Sequence, residues 1–136
     1  VKVLDHISLA VADYERSWAF YDQVLATLGH RRVMEITDAP EYVAAGYGGS
    51  EHEPAFWVGG AREPGSPAPQ PPDGQHVAFA AASRAMVDAF YEAALRAGAT
   101  DNGPPGIRAH YHANYYACFV IDPDGYHLEA VCHRPE

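Results

Sequence analysis

Apolar and polar positions along the chain follow two rhythms, each occurring twice. Ile7, Leu9 and Val11 alternate with polar or small residues as in a strand with one buried face. Trp18, Tyr21, Leu25 and Leu28 then recur at helical spacing. Seventy residues on, Val77 and Phe79 repeat the alternation, and Val87, Phe90, Tyr91, Ala94 and Leu95 repeat the helical spacing. The segment His6-Ile7-Ser8-Leu9-Ala10-Val11 falls without a gap on His76-Val77-Ala78-Phe79-Ala80-Ala81, and Ala19-Phe20-Tyr21 falls on Ala89-Phe90-Tyr91. Asp13 and Ser83 stand where each helix needs an N-cap, and Gly29 and Gly98 where each can end in a left-handed residue.

Strand-like segments follow each helix, at 31–37, 42–48 and 54–58 in the first half and at 99–103, 114–122 and 126–133 in the second. Between the halves, residues 59–74 hold five of the eleven prolines and read as a linker. The expectation is a single α+β domain over 1–136, made of two tandem βαβββ modules at about 1–58 and 75–136.

The sequence Asp122-Pro123-Asp124-Gly125 predicts a type I turn closed by a left-handed glycine. That loop sets Asp122 opposite Tyr126 and therefore Phe119 opposite Glu129. One face then carries Cys118, Val120, Leu128, Ala130 and Cys132, suited to a helix. The other carries Tyr115, Ala117, Phe119, His127, Glu129, Val131 and His133, a mixture of aromatic and ionisable groups that suits a ligand cavity. The cysteines on the helix side read as inert small hydrophobes. In the opening strands the apolar alternation leaves His6, Ser8 and His76 off the helix-packed face. His6, His76 and Glu129 thus offer two imidazoles and a carboxylate, a donor set for a divalent first-row metal with positions left for substrate. The plainer alternative is that each histidine is a hydrogen-bonded structural residue and that Glu129 pairs with Arg31 or Arg108.

Composition narrows the partners. Nine Lys and Arg against eighteen Asp and Glu give a net charge of −9, which excludes the cationic footprint of a nucleic-acid binder. No apolar run approaches the roughly 20 residues of a membrane span. Neither a signal-peptide stretch nor a disulfide framework is present, and the expectation is a cytoplasmic protein.

The segments Leu4-Asp5-His6-Ile7-Ser8-Leu9-Ala10-Val11-Ala12-Asp13, Ala19-Phe20-Tyr21, His76-Val77-Ala78-Phe79 and Asp122-Pro123-Asp124-Gly125-Tyr126-His127-Leu128-Glu129 resemble the vicinal oxygen chelate superfamily. This superfamily comprises glyoxalase I, extradiol dioxygenases, thiol transferases, epimerases and metal-free bleomycin-binding proteins. The resemblance implies that the two modules form cupped mixed sheets around a central cavity, that His6, His76 and Glu129 hold a divalent ion (Fe, Mn, Zn, Ni or Co), and that the chain forms a homodimer. It further implies chelation of a small oxygenated metabolite, with Lewis-acid stabilisation of an enolate or oxyanion in lyase, isomerase or thiol-transfer chemistry. The alternatives are an Fe(II) extradiol-type dioxygenase and a metal-free small-molecule binder.

Two departures limit the assignment. Glyoxalase I typically draws a fourth ligand from the last strand of the first module, where residues 54–60 hold no carboxylate or imidazole; Glu51, His52 and Glu53 lie just before. Many relatives with three ligands carry a tyrosine ten residues before the glutamate, where this chain has Phe119. Tyr115, His110 and His112 are the candidate bases. Arg108 is a candidate grip for a carboxylate, and Ser8, Trp57, Phe119 and His127 are candidate pocket residues. The alternative for the 108–116 segment is an ordinary exposed loop.

Overall fold

The structure, a computed structural model, describes residues 2–50, 53–63 and 70–136. The chain divides into two compact units, Val1–Pro69 and Gln70–Glu136. In the first, strand β1 (Ile7–Ala10) leads to helix α1 (Tyr14–Ala26) and then to β2 (Arg31–Ile36), β3 (Tyr42–Gly48) and β4 (Phe56–Ala61). The sheet runs β1-β4-β3-β2, with β1 and β4 parallel and the remaining pairs antiparallel. In the second, β5 (His76–Ala80) and helix α2 (Arg84–Arg96) precede β6 (Thr100–Asp101), β7 (Gly106–Ile107), β8 (Tyr116–Ile121) and β9 (His127–Cys132). Its sheet runs β5-β9-β8-β6, with β7 also on β8 and β5 parallel to β9. The architecture is mixed α+β with two mixed sheets, each carrying one helix.

Local chemistry sets the helix ends. The Asp13 carboxylate accepts from the Arg16 amide at 3.2 Å, and the Ser83 hydroxyl oxygen from the Met86 amide at 3.2 Å. At the other end, the His30 amide reaches back to the Leu25 carbonyl (3.0 Å) and the Ala99 amide to that of Ala94 (2.9 Å). Both closures pass through a glycine of positive φ, +85° at Gly29 and +111° at Gly98. This is the Schellman arrangement, which supplies donors to carbonyls the helix leaves unpaired.

Each helix lies on the apolar face of its own sheet. In the first unit, Phe20, Tyr21, Val24 and Leu25 bury against Leu9, Val43, Tyr47, Phe56 and Val58. The Trp18 indole donates to the Val58 carbonyl at 3.0 Å, under the Arg32 guanidinium. The Tyr47 hydroxyl donates to Asp22, and burial, ahead of that acceptor's charge, raises its pKa. In the second unit, Val87, Phe90 and Ala94 pack on Cys118, Val120, Leu128, Ala130 and Cys132, the face expected from the hairpin. Burial pushes the Cys118 thiol up to about 12, which keeps it protonated. Tyr91 is half-buried and donates to Asp101 at 3.0 Å.

The hairpin register is as the turn dictates, with Phe119 opposite Glu129 and Gly125 at φ +94°. Three features differ from the sequence reading. Strand β4 continues to Ala61, inside the stretch read as linker, because β3 offers it partners as far as Tyr42. Strand β7 was not foreseen; two residues of Gly-Ile carry no periodicity. An irregularity between Arg32 and Met34 shifts the β2 register within a strand that reads as regular.

At Gly98 a Cβ would meet nothing within 4 Å, so any cost of substitution there is conformational. Gly98→Ala is expected to lower unfolding free energy by about 1–2 kcal/mol, the cost of a left-handed non-glycine residue. Urea unfolding checks this.

Candidate functional site

Glu129 lies in the middle of β9, between Ala78 of β5 and Phe119 of β8. Its side chain points away from α2, yet it is only 2% exposed. His76 starts β5 two residues before Ala78, so its ring stands on the same face. Its Nε2 lies 3.1 Å from Glu129 Oε1, and the Tyr115 hydroxyl donates to Oε2. Among the described residues no arginine or lysine reaches this carboxylate. Burial of the phenol, followed by its bond to the carboxylate, raises Tyr115 to about 12.

Tyr115 precedes β8, at the end of a loop closed on itself. The Arg108 amide donates to the Tyr115 carbonyl at 2.7 Å, and the Tyr115 amide to the His112 carbonyl at 3.2 Å. The Asn114 amide donates to His112 Nδ1 at 3.0 Å, so that nitrogen carries a lone pair. His112 Nε2 therefore bears the proton and donates to His133 Nδ1 at 2.8 Å. Tyr115 packs edge-on against both rings, with centroids 5.4 and 5.2 Å away. His110 is exposed and stacks on Tyr111, which in turn rests on Tyr115. Neither His110 nor His112 bonds to Glu129. Arg108 donates to the Gly106 and Pro104 carbonyls (2.9 and 2.7 Å) and lies over the Phe119 ring. His127 is exposed beside His76 on the neighbouring strand.

In the first unit, His6 stands just before β1. Its Nδ1 lies 2.7 Å from the Asp5 carboxylate, an acceptor that fixes the proton on Nδ1. The neighbouring imidazole holds the Asp5 carboxyl below its usual value. This leaves Nε2 as the free nitrogen, the arrangement in which a carboxylate orients a metal-ligating imidazole. Ser8 follows on the same face, paired in register with Trp57. The register also settles the counterpart of Glu129. Ile7 pairs with Phe56 as Val77 pairs with Leu128, so Trp57 occupies in the first unit the position Glu129 occupies in the second. An indole, in place of a carboxylate, stands at this central position of the first unit. Glu53 pairs with Lys2 at 3.4 Å, and Glu51 and His52 lie outside the described residues.

The donor chemistry fits a metal at the His76–Glu129 pair. A buried carboxylate is costly without a cation, and its partners are an imidazole and a phenol. Among the described residues no three His, Cys, Asp or Glu side chains gather into a site by themselves.

These features define the class: paired βαβββ units with a buried glutamate–histidine pair on the second sheet. The chain belongs to the Glyoxalase/Bleomycin resistance protein/Dioxygenase superfamily, whose model matches residues 3–130. A glyoxalase/bleomycin resistance protein from Albidiferax ferrireducens T118 is 29% identical, with 98% of this chain and 100% of that one covered and a TM-score of 0.74. A glyoxylase/bleomycin resistance protein/dioxygenase domain from Frankia sp. EAN1pec shares the fold at 18% identity, with 98% and 99% covered and a TM-score of 0.73. Glyoxalase I from Zea mays shares it at 21% identity and a TM-score of 0.73, over 95% of this chain. The match spans 45% of the maize protein. No protein of curated function matches the chain significantly. No helix among the described residues is long and apolar enough to cross a membrane.

If the carboxylate serves a ligand rather than the fold, removing its charge should not harm the metal-free protein. Glu129→Gln, measured in EDTA by urea unfolding, is expected to be as stable as the parent or up to about 2 kcal/mol more stable. Tyr115→Phe, which leaves the buried Oε2 without its donor, is expected to lose about 1–3 kcal/mol.

Proposed function

We propose that the protein is a divalent-metal-dependent enzyme acting on a small oxygenated metabolite, with His76 and Glu129 holding the ion and His6 completing the set. The observation that carries this reading is the buried Glu129 carboxylate, matched by no fixed cation and flanked by His76. The orientation of His6 by Asp5 supports it, since its free nitrogen is Nε2. When bound, the metal supplies Lewis-acid stabilisation of negative charge developing on two neighbouring substrate oxygens. Tyr115 keeps its proton at neutral pH and holds one carboxylate oxygen in place. Of the candidate bases Tyr115 is favoured because its hydroxyl touches Glu129, whereas His112 is engaged by the Asn114 amide and His133, and His110 stacks on Tyr111. The reaction is of lyase, isomerase or thiol-transfer type, in a cytoplasmic homodimer.

A second reading, a metal-free binder of small molecules, is favoured by one observation: the large hollow on the first sheet, whose central row is Ala10, Gly59 and Ala44 and whose charged lining residues pair off as Lys2 with Glu53 and His6 with Asp5.

Elemental analysis after anaerobic reconstitution distinguishes the two. About one Fe, Mn, Zn, Ni or Co per chain is expected in the parent, falling at least tenfold in Glu129→Ala and in His76→Ala. Iron would direct assays to oxygen uptake with catechol-like substrates. Equal, negligible metal in all three proteins would overturn the enzyme reading and leave the binder.

A further inference from the structure

The first sheet's face turned away from α1 forms a hollow of about 1010 Å³, and its register shows how it is made. Three strands place their smallest side chains side by side: Ala10 pairs with Gly59, and Gly59 with Ala44. Ile36 of β2 continues that row as its wall. One step along the strands the next row runs Ser8, Trp57, Gly46 and Met34. On the opposite side Tyr42 pairs with Ala61. The hollow is therefore a floor without side chains beyond Cβ, between an indole and a phenol.

The floor cannot readily be filled by substitution at its centre. A Cβ at Gly59 would stand 2.6 Å from the Val43 carbonyl oxygen and 2.9 Å from the Ala44 Cβ. Trp57 is fixed as well. A Cβ on Gly46 would stand 2.9 Å from two atoms of the indole, so the ring lies where only glycine leaves room.

Charge around the hollow is balanced. Lys2 faces Glu53 at 3.4 Å and His6 faces Asp5 at 2.7 Å, so the rim carries no net positive charge. Arg62, nearby on the chain, donates to the Ala39 and Thr37 carbonyls. A phosphate or carboxylate would find no unmatched cation here, in a chain whose net charge is −9. An uncharged flat ring would find apolar floor, two aromatic walls and the Met34 thioether. The hollow, about 1010 Å³, is larger than one ring fills, so a fused pair of rings covers more of its apolar floor than a single ring does.

We propose that this hollow binds the uncharged, fused-ring part of the ligand, and that Ala10, Gly59, Ala44 and Trp57 set that preference. The proposal rests on the metal reading only for the oxygenated end of the substrate; the ring site stands without it.

Isothermal titration with 2,3-dihydroxynaphthalene, catechol and 2-naphthoate tests it, on the parent with and without EDTA and on Glu129→Ala. The naphthalenediol is expected to bind at least tenfold tighter than either the one-ring diol or the anion, in all three settings. Ala10→Leu and Ala44→Leu, which fill the floor from two strands, should each weaken it at least tenfold. Ala10 is exposed on the concave side, so its variant keeps the fold, as circular dichroism would verify. Equal affinities for the three probes, unchanged binding in folded Ala10→Leu, or binding that vanishes with EDTA would each overturn the proposal. Loss of metal in the parent would leave it intact.

Discussion

The parallel pairing of first and last strand in each unit fixes the rest of the arrangement. Ile7 against Phe56 and Val77 against Leu128 decide which side chains meet the helix and which turn away. Strand side chains alternate, so a slip of one residue in β9 would send Glu129 into the core with Val87 and Phe90 and turn Leu128 outward. Burial of Leu128 and Ala130 under α2 forbids that slip. The apolar core thus aims the polar site: Glu129 faces away from the helix because its neighbours must face it.

From one register the two units develop opposite chemistry. The second places a carboxylate at the central position of its last strand and surrounds it with an imidazole and a phenol. The first places an indole there and clears the rows beside it to alanine and glycine. A buried carboxylate without a fixed cation works against stability, as does a glycine-floored sheet that leaves apolar surface uncovered. Such costs gather where a ligand is held.

Much of this was legible in the sequence, for identifiable reasons. The repeat, the caps at Asp13 and Ser83 and the closing glycines are local signals with fixed spacing. The turn at 122–125 specifies the hairpin register, and with it Phe119 opposite Glu129 and the helix-facing set from Cys118 to Cys132. What escaped depends on contacts between segments distant in sequence. That Tyr115 rather than His110 or His112 bonds Glu129 follows from the folding of the 108–115 loop, where Asn114 and His133 engage His112. That Arg108 turns to the Gly106 and Pro104 carbonyls follows from the same loop. Trp57 was visible as a pocket residue, but its equivalence to Glu129 appears only once both parallel registers are known, because β4 and β9 sit at different offsets in the repeat.

The central claim is that Glu129 is buried to hold a metal with His76. A crystal structure grown with Co²⁺, phased on the cobalt anomalous signal, addresses it directly. The account predicts one strong anomalous peak within coordination distance of both Glu129 Oε1 and His76 Nε2, with an imidazole assigned to His6 as a further ligand. An ordered carboxylate still paired to His76 and Tyr115, with cobalt absent or bound only elsewhere, would contradict it.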